Sequence, residues 1–277
     1  MSDFKPLAGM RIVTLALNVP GPLAAKRWCD FGATVIKVEP PEGDPLEIYS
    51  AEWYHDVNIG QQKRRINLKT AEGKEALAQL LSTADLLLTA QRPAALERLG
   101  LGWDELQNSY PKINHIVIVG YPVPNENEAG HDLTYQASLG LLTPPTMPKT
   151  LVADMAGAER AALEGMALLM ARKAGEKGQQ VFIPLSEAAD YMAQPLSYGL
   201  TSETGLLAGN VPEYALYETA NGWLALAALE PHFSARLKQE LGLSELSHQT
   251  VAEKLKQKTA TEWAVWAKQR DIPLVSL

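Results

Sequence analysis

At 277 residues, 46% hydrophobic and 21% charged, the chain has ordinary globular composition and enough length for one large domain or two smaller ones. A formal net charge of −7 without a compensating basic tail argues against general nucleic-acid binding. Cys29 is the single cysteine, so no disulfide framework is expected. The early apolar stretch is broken by Arg11, Asn18 and two prolines, which leaves neither a signal peptide nor a membrane span; the expectation is a soluble, cytoplasmic protein.

In chain order, residues 10–15 read as a buried strand. Pro20-Gly21-Pro22 opens a helix through Leu23, Ala24, Trp28 and Phe31 that Gly32 ends, and residues 33–39 form a second apolar strand. Cys29, beside Trp28 in that helical run, reads as core. Strand, helix and strand within about thirty residues make a βαβ unit and hence a parallel sheet. The winding is Rossmann-like, but the first turn carries no GxGxxG, so a dinucleotide is not expected there. Pro40-Pro41-Glu42-Gly43-Asp44-Pro45 stops the strand, and residues 46–62 read as a polar surface excursion. Lys63-Arg64-Arg65 precedes a short strand at 66–69. A helix over 71–83, a strand at 85–89, a short helix from Gln91-Arg92-Pro93 to Gly100 and a strand at 115–120 follow. Lys63, Arg64, Arg92 and Arg98 thus gather near turns at the strand ends, where an open α/β sheet binds ligands. They suit the phosphates of a nucleotide-like carrier, and equally suit plain solvation.

Gly130-His131-Asp132 stands at the start of a helix-like run, residues 133–140, and Asp154 precedes a long helix over 156–173. Carboxylates at helix N-termini meet unpaired N–H groups, and a histidine beside one of them with a second acid nearby makes a proton-transfer pair. Two helix caps and a surface histidine fit the same residues. After a strand at 180–183 and a helix over about 186–200, the pattern changes. Residues 215–220 and 223–227 flank Asn221-Gly222 and read as a β-hairpin; Pro231 then opens a helix and two more follow. The expected architecture is α/β: a Rossmann-like parallel sheet with helices on both faces over 1–200, and a smaller α+β domain over 201–277.

The segments Leu7-Ala8-Gly9-Met10-Arg11-Ile12-Val13, Gly21-Pro22, Gly32-Ala33-Thr34-Val35-Ile36-Lys37-Val38-Glu39-Pro40-Pro41-Glu42-Gly43-Asp44, Lys63-Arg64, Arg92-Pro93, Glu97-Arg98-Leu99-Gly100-Leu101-Gly102, Gly130-His131-Asp132, Ala153-Asp154-Met155-Ala156-Gly157 and Gly175-Glu176-Lys177-Gly178-Gln179 occur in this order. Together they resemble the family III CoA-transferases, which include carnitine and bile-acid CoA-transferases, formyl-CoA transferase and 2-methylacyl-CoA racemase. The resemblance implies coenzyme A, as an acyl-CoA substrate with no metal, held by Val19, Lys63, Arg92 and Arg98. It implies one of two chemistries. In the transferases the residue matching Asp132 is a nucleophile that forms an acyl anhydride and then an aspartyl-CoA thioester. In the racemase the residues matching His131 and Asp154 exchange the α-proton of the acyl group, and the one matching Glu230 supports the histidine. The histidine at 131 puts racemase-like proton transfer slightly ahead, although Gln136-Ala137 looks transferase-like. A non-catalytic CoA-ester-binding or scaffold protein is a further alternative. The family also implies an interlocked homodimer, in which Glu230 of one chain meets the His131 of the other. Three departures stand out: the loop before Gly130 is Tyr121-Pro122-Val123-Pro124-Asn125-Glu126-Asn127-Glu128 rather than Gly-rich, the segment between Gly140 and Leu151 is short, and the sequence reads as a short member, stopping at Val275-Ser276-Leu277 where the family usually continues with a C-terminal segment.

Overall fold

The computed structural model describes residues 4–277. The expected βαβ unit is present as β1 (Arg11–Thr14), α1 (Pro20–Asp30) and β2 (Thr34–Glu39). Proline in the first turn of α1 sacrifices no helical hydrogen bond. At the other end Gly32 takes φ +94°, its N–H donates to the Cys29 carbonyl and that of Ala33 donates to the Trp28 carbonyl. This is a Schellman closure, which a residue with a Cβ adopts only with strain.

Residues 46–62 do not wander over the surface as the sequence reading has it. They form α2 (Pro45–Tyr49) and α3 (Ala51–Val57), and then enter β3 (Gln62–Arg65). The Asp44 carboxylate caps α2 by accepting from Leu46 N at 3.0 Å, and Leu46, Tyr54 and Val57 pack with Val19 into a small core. Two helices broken at Ser50 leave too short a run for helical periodicity to register. The strand is also displaced from the expected 66–69. The basic run itself pairs with β2, Lys63 opposite Lys37, as an exposed edge strand. Charged side chains are at home on such an edge, where they discourage further pairing.

The chain continues through α4 (Ala71–Leu81), β4 (Leu86–Thr89), α5 (Pro93–Leu99), an unexpected α6 (Trp103–Ser109), β5 (Asn114–Val119), α7 (Asp132–Ser138), α8 (Val152–Lys173), β6 (Gln180–Pro184) and α9 (Leu185–Ser197). The six strands are all parallel, in the order β3-β2-β1-β4-β5-β6, the doubly wound Rossmann order. Alternation along β4 shows why helices cover both faces. Leu86 and Leu88 join Trp28 of α1 and Leu169 of α8 in one core; Leu87 joins Leu81 of α4, Leu96 of α5 and Leu106 of α6 in the other.

Packing divides the chain into two compact units, Met1–Met192 and Ala193–Leu277. The second contains a 3₁₀ turn (Leu206–Ala208), β7 (Tyr214–Glu218), β8 (Trp223–Ala227), α10 (Pro231–Leu241), α11 (His248–Leu255), α12 (Ala260–Arg270) and β9 (Leu274–Ser276). Its sheet is antiparallel, β7-β8-β9, over a core of its own that includes Tyr217, Leu224, Leu237, Val251 and Trp263. The expected hairpin is there, but its turn is not a two-residue one. Glu218 pairs with Trp223, and neither Asn221 nor Gly222 is among the residues with positive φ. Asn221 instead uses its side-chain oxygen to accept from Ala260 N at the start of α12.

Candidate active site

The residues after β1, β4 and β5 meet at the C-terminal edge of the parallel sheet, where strand order reverses between β1 and β4. Open α/β sheets place their ligands at such a point. A cavity of about 260 Å³ lies there, with Asn18 from the loop after β1, Arg92 from the loop after β4 and Gly120 from the end of β5 in its wall. His131, Tyr135 and Asp154 line it as well.

His131 is the N-cap residue of α7 in extended conformation (φ −141°, ψ 163°), but its imidazole makes no cap bond and is exposed. Asp132, the first residue of α7, turns the other way. The residue is 5% exposed, and its carboxylate accepts from Ala153 N at 2.6 Å, Asp154 N at 3.1 Å and the Gln136 amide. It is therefore the missing N-cap of α8, supplied from another helix, and such caps contribute about 1 kcal/mol. Because of it α8 begins at Val152 rather than near 156, and Asp154 stands in its first turn. Burial, and then the charge of Asp132, push the Asp154 carboxyl up to about 6. Beside the imidazole, the cavity wall thus carries a carboxyl poised to take or give a proton near neutrality.

Two polar groups of the lining residues lack partners. The Tyr135 hydroxyl is buried without a hydrogen-bond partner, an arrangement that costs roughly 1–3 kcal/mol, and Glu126 Oε2 is likewise unpartnered. Asn18 holds a left-handed backbone, φ 63°, while its N–H donates to Asp44 at 2.9 Å. Asp44 belongs to a buried charge cluster: Lys37 Nζ lies 2.6 Å from Asp44 and 3.2 Å from Glu39, whose carboxylate accepts from the Tyr54 hydroxyl at 2.7 Å. Removing one member of such a cluster strands the others, which is why these loops hold their shape.

The model for CoA-transferase family III matches residues 7–274. The chain belongs to this family. It is 30% identical over 267 residues to a succinyl-CoA–D-citramalate CoA-transferase of Chloroflexus aurantiacus, covering 88% of this chain and 66% of that one. It is 31% identical over 291 residues to the alpha-methylacyl-CoA racemase of Homo sapiens, covering 93% and 74%. A crystal structure of a hypothetical protein (Rv3272) from Mycobacterium tuberculosis superposes with a TM-score of 0.84 at 25% identity, covering 98% of this chain and 83% of that one. The chain spans about two thirds of the length of the Chloroflexus relative.

Of the residues the family resemblance singles out, the structure brings His131, Asp154 and Arg92 to one cavity, with Asp132 directly behind Asp154. Val19 is the buried N-cap residue of α1, between the cavity residues Asn18 and Pro20 but not itself in the wall. Lys63 sits on the edge strand, its Nζ 3.2 Å from the Tyr54 hydroxyl and 4.6 Å from the ring centre. Arg98 is exposed in the last turn of α5 and does not line the cavity. Glu230 is the N-cap residue of α10, in the second unit. Asn18, Tyr135 and the Lys37 cluster escaped the sequence reading as contributors to this region. A charged pair inside the otherwise apolar strand Val35-Ile36-Lys37-Val38-Glu39 was the available signal for the cluster; Tyr135 reads as an ordinary aromatic on a helix. Among the described residues no group of three or more His, Cys, Asp or Glu could hold a metal ion, and no helix is long and apolar enough to cross a membrane.

Proposed function

We propose that this family III member is an acyl-CoA-processing enzyme that moves the α-proton of a 2-methylacyl-CoA-type thioester between His131 and Asp154. The observation that carries this reading is the shared cavity: an exposed imidazole and a carboxyl titrating at about 6 line it together, while the Asp132 carboxylate is withdrawn into three hydrogen bonds. One of the two residues takes the α-proton, the C–H electron pair passes to the thioester oxygen as an enolate, and the other residue returns a proton to the same carbon from the opposite side. Binding a charge-developing substrate away from water strengthens each of these contacts.

Val19, Lys63, Arg92 and Arg98 are assigned to the CoA moiety, with the cations toward its phosphates. The three carboxyls Glu126, Glu128 and Asp154 in the cavity, against Arg92 and His131, favour an acyl group without a terminal carboxylate. A second copy of the chain, in an interlocked homodimer, supplies Glu230 to support His131; neither nucleic acid nor a membrane is assigned as partner, and the setting is cytoplasmic.

The second reading is CoA transfer through Asp132. It is favoured by the transferase among the relatives and by Gln136, whose amide donates to the Asp132 carboxylate. Here a carboxylate oxygen attacks the acyl carbon, the CoA thiolate leaves, and its return to the resulting anhydride releases the acid and leaves an aspartyl-CoA thioester. Incubation with (S)-2-methylbutyryl-CoA, followed by chiral separation of the recovered thioester, tests the choice. Appearance of the R form supports proton transfer. Retention of S with hydroxylamine-trapped Asp132 replaces it with CoA transfer; CoA-dependent thermal stabilisation with neither outcome leaves a binding or scaffold protein.

A further inference from the structure

We propose that the Tyr135 hydroxyl is a substrate-contacting group that donates a hydrogen bond to the carbonyl oxygen of the acyl thioester in this cavity. The inference rests on reading the cavity as an acyl-CoA site, but not on which chemistry occurs there.

Tyr135 is 1% exposed, and its hydroxyl oxygen has no hydrogen-bond partner although the side chain lines the cavity. The ring is fixed by an edge-on contact with Tyr121 at 5.3 Å between centroids, so the hydroxyl's position is set by packing. Two glycines make room for it. A Cβ on Gly120 would lie 2.6 Å from the hydroxyl oxygen and one on Gly130 would lie 2.4 Å from it. Both glycines are themselves in the cavity wall, so no side chain at either position separates the hydroxyl from the cavity.

A phenylalanine would fill this space without leaving a polar atom unpaired, so the hydroxyl is dispensable for packing. Burial, followed by Tyr121, Asp154 and Asp132, pushes the phenol up to about 12, which keeps its proton in place at neutral pH. A group that offers a proton from the wall that also carries Asp154 is suited to an oxygen on which negative charge develops. The Glu128 carbonyl lies 3.5 Å from the same Gly120 Cβ position but makes no hydrogen bond with the hydroxyl; it is the protein acceptor that the test sets against the substrate.

Tyr135→Phe decides between them. Calorimetric affinities for free CoA and for isobutyryl-CoA, with the melting temperature of the unliganded protein, are compared with wild type. The expected result is an unchanged or higher melting temperature, unchanged CoA affinity and about tenfold weaker isobutyryl-CoA binding. A lower melting temperature with both affinities retained assigns the hydroxyl to the Glu128 carbonyl and overturns the proposal. Equal isobutyryl-CoA affinity in variant and wild type, or no binding by wild type, overturns it as well. α-Deuterium exchange by the wild type in D₂O is scored separately: its absence alongside the tenfold loss removes proton transfer and leaves the Tyr135 assignment standing.

Discussion

Asp132 and Asp154 divide between them tasks that a motif cannot separate. The carboxylate of Asp132 satisfies two backbone amides 21 and 22 residues further on, while burial, and after it the Asp132 charge, holds the Asp154 proton in place. This has a measurable effect on stability. In the unfolded chain Asp154 ionises near its ordinary value of 3.8, whereas in the fold it does so at about 6. Between those values the unfolded state loses its proton first, so stability falls as pH rises from about 4 to about 6, and the full penalty persists above. Its size is on the order of 3 kcal/mol. Asp154→Asn is therefore expected to raise urea-unfolding stability by about 1–3 kcal/mol at pH 7.5 and by much less at pH 4; equal gains at both would contradict the shift. At this scale the sequence reading located His131, Asp132 and Asp154 through their order in the family pattern. It could not show that Asp132 caps α8, because a cap supplied across a tertiary contact leaves no local signature at Leu151.

Elements with their own start and stop chemistry were legible, and those defined by their neighbours were not. Pro20 and Gly32 bound α1, and the apolar runs of β1, β2, β4 and β5 stood where expected. The helices over 45–57 depend on a small core completed by Val19, and β3 exists because β2 offers it an edge. Small residues on α8 have a packing role that substitution can measure. A Cβ on Gly165 would come 2.3 Å from Trp28 Cζ2, where the indole N–H donates to the Ala162 carbonyl. Gly165→Ala should lower unfolding stability by about 1–3 kcal/mol despite the roughly 1 kcal/mol that alanine contributes to a helix; a net gain would mean that the two helices part easily. The loop before α7 carries a different consequence. Glu126 and Glu128 place negative charge on the cavity wall. Replacing both by Gln should strengthen succinyl-CoA binding relative to propionyl-CoA binding, by about tenfold. An unchanged ratio of calorimetric affinities would remove these residues from acyl selection.

At the scale of the molecule, the parallel sheet with helices on both faces and the family were both legible, since the characteristic segments run from Leu7 to Gln179 in order. The short strand β9 was not; three residues pairing with β8 carry too little pattern to announce themselves. Exposed apolar side chains on α8, Leu163 at 69% and Met170 at 68%, are surface that the proposed second copy would cover. Light scattering should accordingly give twice the chain mass, and a monomer mass at micromolar concentration would refute the homodimer and with it the assignment of Glu230. The central claim, that His131 and Asp154 exchange a proton at the α-carbon, meets its most direct test in isobutyryl-CoA incubated with the protein in D₂O and recovered for mass spectrometry. The account predicts one deuterium at the α-carbon, incorporated at least about a hundredfold more slowly by His131→Ala. No mass gain with the wild type, or gain at an undiminished rate in the variant, would contradict it.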